Sequence, residues 1–232
     1  MPQSDTMPDA AAVAKAATAL GRALAPDQAA LLAGYLQLLT RFRRKINLVG
    51  PQDWPTMLET LVADSWHLAD FLAGPEAKRV LPPGDALVLG LDFGAGAGLP
   101  GIGLRAFFNR GPYYLLESRQ KRCVFLAEAT ARLHLSGVHV AEGRVERTVP
   151  DILAGHPGAF VLCLSRAFAP WPRFLTLCRE LVREPLAVVT MTGEATTVEE
   201  TPPGWALAAA ASYPVAGRTR HVSLFSGSAT SM

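Results

Sequence analysis

Cysteine is scarce. Cys123, Cys163 and Cys178 are the only three in 232 residues, and each sits in an apolar stretch. An odd, small set without metal-ligand spacing excludes a disulfide framework and fits reduced core residues in a cytosolic protein. No apolar run reaches membrane-spanning length, so no membrane partner is expected. The first residues, Met1-Pro2-Gln3-Ser4-Asp5, have neither a basic nor an apolar region, so no secretory signal is expected. Excess charge is lacking too: 22 Lys and Arg against 20 Asp and Glu leave a net +2. Such a balance neither demands nor excludes nucleic acid, so any basic footprint has to be local. Internal repeats are absent. So are Ser-His-Asp, Cys-His and metal-ligand constellations, so neither a general base nor a metal is expected.

What is present is apolar residue, half of the chain, and glycine. The two meet at residues 88–104. Val88 to Leu91 is an apolar run that reads as a buried parallel strand, with Asp92 at its end. Gly94, Gly96 and Gly98 follow, then Leu99-Pro100-Gly101. Alternating glycines let the backbone turn sharply and approach a ligand with no Cβ in the way. Pro100, with a preset φ and no N–H, suits the first turn of a following helix. Strand, glycine loop and helix form the arrangement in which doubly wound α/β folds bind ligands at the strand's carboxyl end. Gly96-x-Gly98-x-x-Gly101 formally matches a dinucleotide fingerprint. The turn begins at Gly94, however, and counted from there the third glycine is missing. Asp92-x-Gly94-x-Gly96-x-Gly98 instead resembles the first motif of S-adenosylmethionine-dependent methyltransferases. There the loop wraps the amino-acid end of the cofactor, and Asp92 helps hold it through the amino group or a water.

Upstream, residues 10–24 are alanine-rich and helical by propensity. Pro26-Asp27 restarts a helix. Leu31, Leu32, Tyr35, Leu36, Leu38, Leu39 and Phe42 give it an apolar face. It ends in Arg41-Phe42-Arg43-Arg44-Lys45, which reads either as a solvated helix end or as a phosphate-binding patch. A third helix is expected over 54–72, with Asp64-Ser65 at its middle, and 74–84 reads as a linker.

Downstream, a helix is expected over 102–108. Tyr113 to Leu116 is a short strand ending at Glu117, where an acidic residue accepts hydrogen bonds from ribose hydroxyls. Methyltransferases and dehydrogenases both use that position. A helix over 118–135 and a strand at 138–140 follow. Gly143-Arg144-Val145-Glu146 then reads as a loop offering a polar and an apolar contact to an adenine ring. Phe160 to Leu164 is a fourth strand that delivers Ser165-Arg166-Ala167-Phe168 to the same edge. A charge ending so apolar a strand is costly unless paired or facing a ligand. A helix to about 183, a strand at 186–189 and a closing antiparallel pair, 205–213 with 221–225, complete the chain.

Taken together these segments resemble the RsmG (glucose-inhibited division protein B, GidB) family from about residue 31 to 193. The specific parts are Asp92 to Ile102, Leu115-Leu116-Glu117-Ser118 with Lys121-Arg122, Arg144-Val145-Glu146 and Ser165-Arg166-Ala167-Phe168. Lys45-Ile46-Asn47-Leu48 and Asp64-Ser65 match the family's N-terminal part. The resemblance implies methyl transfer from S-adenosyl-L-methionine to N7 of a guanine in 16S ribosomal RNA, in the cytoplasm, on the RNA or a small-subunit precursor. It implies cofactor contacts at Gly94, Leu99, Glu117, Val145, Glu146 and Arg166, to which the likeness of the loop to the methyltransferase motif adds Asp92, Gly96 and Gly98. Arg166 is the candidate catalytic or orienting residue, and Arg41, Arg43, Arg44 and Lys45 are the candidate RNA-binding cations.

The expected fold is α/β. It is a doubly wound Rossmann-like methyltransferase sheet, mostly parallel with an antiparallel C-terminal strand, carrying an N-terminal helical extension. The expected boundaries are a disordered tail over 1–9, the extension over 10–80, the methyltransferase domain over 81–226 and a tail over 227–232. The chain departs from the family pattern at three places. Phe42-Arg43 stand where Trp-Asn is usual, Leu61 where His is usual, and Thr192 where a lysine is usual. A small-molecule methyltransferase and a nicotinamide-dependent oxidoreductase are the competing readings.

Overall fold

The computed structural model describes residues 7–227 apart from 52, 85 and 184, with Arg44 and Lys45 described in backbone only. Seven strands form one sheet in the order β3-β2-β1-β4-β5-β7-β6. They are β1 (Val88–Phe93), β2 (Tyr113–Glu117), β3 (Val138–Glu142), β4 (Phe160–Arg166), β5 (Leu186–Thr192), β6 (Trp205–Val215) and β7 (Arg218–Gly227). The first five run parallel. β7 pairs antiparallel with β5, and β6 antiparallel with β7. The order reverses between β1 and β4, which opens a crevice at their carboxyl ends.

Alternation along the strands divides the core. Val161, Cys163 and Val188 face one cluster, with α8 (Val145–Ala154) and α9 (Trp171–Leu181) packed on it. Leu162, Leu164, Ala187 and Val189 face the other, which they share with the N-terminal helices. A period of two, buried on both faces, is what an apolar parallel strand requires. The N-terminal helices are α1 (Ala10–Ala19), α2 (Pro26–Ile46), α3 (Trp54–Met57), α4 (Ala63–Ala73) and α5 (Pro75–Val80). The apolar face of α2 is buried as its spacing predicts, with Leu32, Tyr35, Leu36 and Leu39 fully covered.

Several elements differ from the sequence expectation. Residues 7–9 of the expected tail are tied down: Asp9 caps α1, and the Pro8 carbonyl accepts a hydrogen bond from the Gln37 side chain at 2.6 Å. Gly227 closes β7, while 1–6 and 228–232 lie outside the described residues. The third helix is interrupted by a π turn, Leu58–Val62, between α3 and α4. Residues 75–80, expected as linker, form α5. The helix after the glycine loop, α6 (Gly101–Leu104), is a single turn. Residues 145–154, expected to open as a loop, form α8, which buries Val145, Val149 and Leu153 at helical spacing although Pro150 lies inside it. Helix α7 (Gln120–Arg132) buries Cys123 and Leu126 as expected. No helix among the described residues is long and apolar enough to cross a membrane.

α6 lies so close to the sheet that Gly101 has no room for a side chain. A Cβ there would meet the Asp92 carboxylate, and Leu115 Cδ2 and Tyr113 Cε1 at 2.9 Å each. Gly101→Val is therefore expected to destabilise the protein by about 1–3 kcal/mol. Urea denaturation measures this, and an unchanged midpoint would contradict the packing.

Candidate active site

At the reversal of strand order the chain leaves β1 and turns at once. Gly94, Gly96 and Gly98 take φ of 68°, 58° and 84°, a left-handed backbone open to glycine. The turn is pinned from several directions. The Ala95 N–H donates to the Leu116 carbonyl at 3.0 Å, and the Ile102 N–H to the Gly98 carbonyl at 2.7 Å. From the helical side, the Tyr35 hydroxyl donates to the Ala97 carbonyl at 2.7 Å. The Ser65 hydroxyl donates to the Pro100 carbonyl at 2.9 Å.

Glu117, at the end of β2, gathers the donors of the loop. Its carboxylate accepts from the Gly96 N–H at 3.1 Å and from the Arg119 N–H at 2.9 Å. Arg122 Nη1 stands 3.6 Å away. A cavity of about 610 Å³ opens here, with Gly94, Glu117, Val145, Glu146 and Phe168 on its wall. A second, of about 310 Å³, lies between the glycine loop and the N-terminal segment, touching Gly94, Gly96, Leu99, Arg166, Val49 and Leu61. A third, of about 710 Å³, lies beyond the ends of β4 and β5, with Arg166, Trp171, Thr192 and Arg220 among its lining residues. Ala167 borders all three. Its φ of 63° is an unusual conformation for a residue with a Cβ. Phe168 stands at the rim, edge-on to Phe93 and Phe174.

The structure thus brings Gly94, Gly96, Leu99, Glu117, Val145, Glu146 and Arg166 to the first two cavities, which share Gly94, Arg122 and Ala167 on their walls. Gly98 packs instead against Ile102 and Leu126. Asp92 lines none of the three cavities. Alternation along β1 turns it to the side opposite Phe93, where it is buried and accepts from the Tyr113 hydroxyl at 3.4 Å. Arg166 does not end the strand unpaired, since its Nη1 donates to Asp64 Oδ2 at 2.7 Å. Among the expected RNA-binding cations, Arg41 is exposed. Arg43 corrects the expectation: it is only 5% exposed, on the buried side of α2, where its charge acts on Asp53. The side chains of Arg44 and Lys45 lie outside the described residues. Thr192 turns to its own loop, donating to the Glu194 carbonyl at 2.6 Å. The sequence reading assigned no role to Asp64, Tyr213 or Arg220. An Asp in the middle of an apolar helix was the available signal, because such a carboxylate has to be partnered.

Sheet order, strand directions and the loop-lined crevice define the fold of the Rossmann-like methyltransferases. A solved structure of the same fold is the O-methyltransferase from Bacillus cereus in complex with SAH. It superposes with a TM-score of 0.54 at 12% identity, covering 83% of this chain and 90% of that one. The sequence matches GidB, rRNA small subunit methyltransferase G, over residues 28–208, and the chain belongs to that family. It is 37% identical over 211 residues to Ribosomal RNA small subunit methyltransferase G of Oleidesulfovibrio alaskensis, covering 87% of each chain. It is 45% identical over 150 residues to the Nitratidesulfovibrio vulgaris protein of that name, covering 65% of this chain and 63% of the relative.

Burial pushes the Asp92 carboxyl up to about 7, against the weaker pull of the Tyr113 hydroxyl, the Gly101 N–H and the Arg166 charge. The folded protein therefore holds this proton more tightly than the unfolded chain, whose carboxyl titrates near about 3.9. The resulting stability is full below about pH 4 and is lost as pH rises to about 7. Asp92→Asn should remove this component, so its stability relative to wild type should rise between pH 4 and 8. Urea denaturation of both proteins across that range measures the difference. A difference that stays flat would contradict a protonated buried Asp92.

Proposed function

We propose that the chain transfers a methyl group from S-adenosyl-L-methionine to N7 of a guanine in 16S ribosomal RNA. The substrate is the RNA or a small-subunit precursor particle, and the reaction belongs in the cytoplasm. The observation that carries this reading is the joining of the glycine loop to Glu117 in one cleft that continues to Val145. The residues present fit the cofactor. A carboxylate has about four acceptor sites. Gly96 and Arg119 use two of those on Glu117, which leaves capacity for ribose hydroxyls. Val145 supplies an apolar wall for the adenine, and Glu146 the polar contact beside it. Gly94, Gly96 and Leu99 border the smaller cavity, which suits the amino-acid end. Asp92 is buried below the loop and lines none of these cavities, so it is left out of the cofactor contacts.

When bound, S-adenosylmethionine supplies an electrophilic methyl group on a positively charged sulfur. Guanine N7 already carries an in-plane lone pair, so no residue has to remove a proton. The work of the protein is therefore alignment and electrostatics. Arg166, between the cofactor side and the third cavity, orients the acceptor. Arg41, Arg44 and Lys45, at the end of α2, grip RNA phosphates. Arg43 is left out of that grip because it is buried.

The direct test incubates the protein with labelled S-adenosylmethionine and small-subunit rRNA from a strain lacking the enzyme, then maps the methylated base. Label at N7 of one guanine is the expected result; label on no RNA would overturn the reading. Gly96→Val should abolish cofactor binding in calorimetry while the protein stays folded. A Cβ at Gly96 meets only ordinary contacts at 3.6 Å, so its bulk falls in the cavity. The positive φ adds a cost of about 1–2 kcal/mol. Undiminished binding, or heat from NAD alone, would contradict the assignment. Arg41→Ala with Lys45→Ala should weaken RNA binding and reduce its salt slope by about one to two units, with cofactor affinity unchanged. Identical slopes would leave these cations as a solvated helix end.

A further inference from the structure

Two arginines reach the wall of the third cavity from different strands, Arg166 from β4 and Arg220 from β7. Both turn back to one carboxylate. Arg166 Nη1 is 2.7 Å from Asp64 Oδ2, and Arg220 Nη1 is 3.7 Å from the same oxygen. The other oxygen of Asp64 accepts from the Tyr213 hydroxyl at 3.0 Å. Asp64 itself has no exposed surface and borders none of the cavities.

The π turn just before Asp64 adds two acceptors. The Leu61 carbonyl accepts from Arg166 Nη1 at 3.4 Å, and the Thr60 carbonyl from Arg220 Nη2 at 3.5 Å. A π turn shifts the helical hydrogen-bond register by one residue, and such turns recur at functional sites. Here it aims carbonyls at two guanidiniums. The Nη2 and Nε groups of Arg166 have no protein acceptor among the described residues, and Arg166 lines two cavities. Stability alone gives little reason for this arrangement. A buried ion cluster is often matched or bettered by apolar residues of similar volume. What such a cluster does supply is fixed geometry for planar donors.

We propose that Asp64 is a positioning residue: with the π-turn carbonyls it seats Arg166 and Arg220 on the wall of the third cavity, which receives the target nucleotide. The proposal rests on the reading of the chain as an rRNA methyltransferase. The arginines offer their remaining N–H groups to oxygen acceptors of the nucleotide. Asp64 touches neither substrate nor cofactor and acts only through the arginines.

Chemical rescue tests the seat. Arg166→Ala should lower methyl transfer by about tenfold or more, and guanidinium at a non-denaturing concentration should restore part of the loss by occupying the vacated place beside Asp64. Asp64→Asn combined with Arg166→Ala should be as slow and gain nothing. Circular dichroism on both variants reports folding, which is expected to be retained, and cofactor calorimetry sets the saturating S-adenosylmethionine concentration at which transfer is compared, because Arg166 also borders the smaller cavity. Equal rescue in both variants, or rescue in neither, would overturn the proposal. Should the double variant fail to fold, Arg220→Gln carries the test. This residue is partly exposed, and the change should raise KM for RNA by about three- to tenfold and weaken filter-bound RNA. Cofactor affinity and melting temperature should not move. An unchanged KM would overturn the proposal. Wild-type protein that methylates no base in the same RNA would overturn the functional reading itself, a result separate from any difference among variants.

Discussion

The structure depends on how the chain leaves β1. A strand buried on both faces has to release its backbone at the sheet edge, and a tight turn there exposes N–H groups that need acceptors. Glu117 meets that need. Its two oxygens take the Gly96 and Arg119 N–H groups, so one carboxylate joins the ends of two neighbouring strands. Hydrogen bonds to a charged acceptor contribute about 1.5–3 kcal/mol each, more than neutral ones. The constraint fits the glycine at 96, whose φ of 58° accompanies the N–H it presents to Glu117. It also explains why the cleft is preformed: the groups that shape it hold one another.

The N-terminal helices close the other side of the same turn. Tyr35 holds the Ala97 carbonyl, Ser65 the Pro100 carbonyl, and Asp64 the Arg166 guanidinium. All three come from the helical face that shares its core with the sheet. Sequence separations of 62, 35 and 102 residues show how far apart in the chain these partners lie. The extension therefore acts as the second wall of the site, and its interior polar residues have site geometry as their physical reason.

The strands and the glycine loop were legible in the sequence because their signals are local. Apolar runs broken by glycine identify β1, β2, β4 and β5, and the end of each run marks the crevice. Glu117 followed from the same logic. What failed were features set by partners distant in sequence. Arg43 reads as one of four surface cations, yet the turn of α2 places it inward near Asp53. Asp92 reads as a strand-end residue that holds the cofactor, yet strand alternation turns its side chain away from the cavities, to the side opposite Phe93. Helix α8 was hidden by Pro150, although Val145, Val149 and Leu153 carried its period. The π turn has no signature in residue type. Asp64 was visible as an acid in an apolar helix, but its partners on β4, β6 and β7 were not.

One cleft, between Glu117 and the glycine loop, is proposed to hold the cofactor. A crystal structure with S-adenosylhomocysteine tests this most directly. The ribose hydroxyls are predicted within hydrogen-bond distance of Glu117, the adenine against Val145, and the amino-acid end beside Gly94 and Gly96. A ligand bound elsewhere, or one that leaves Glu117 with only the Gly96 and Arg119 N–H groups, would contradict it.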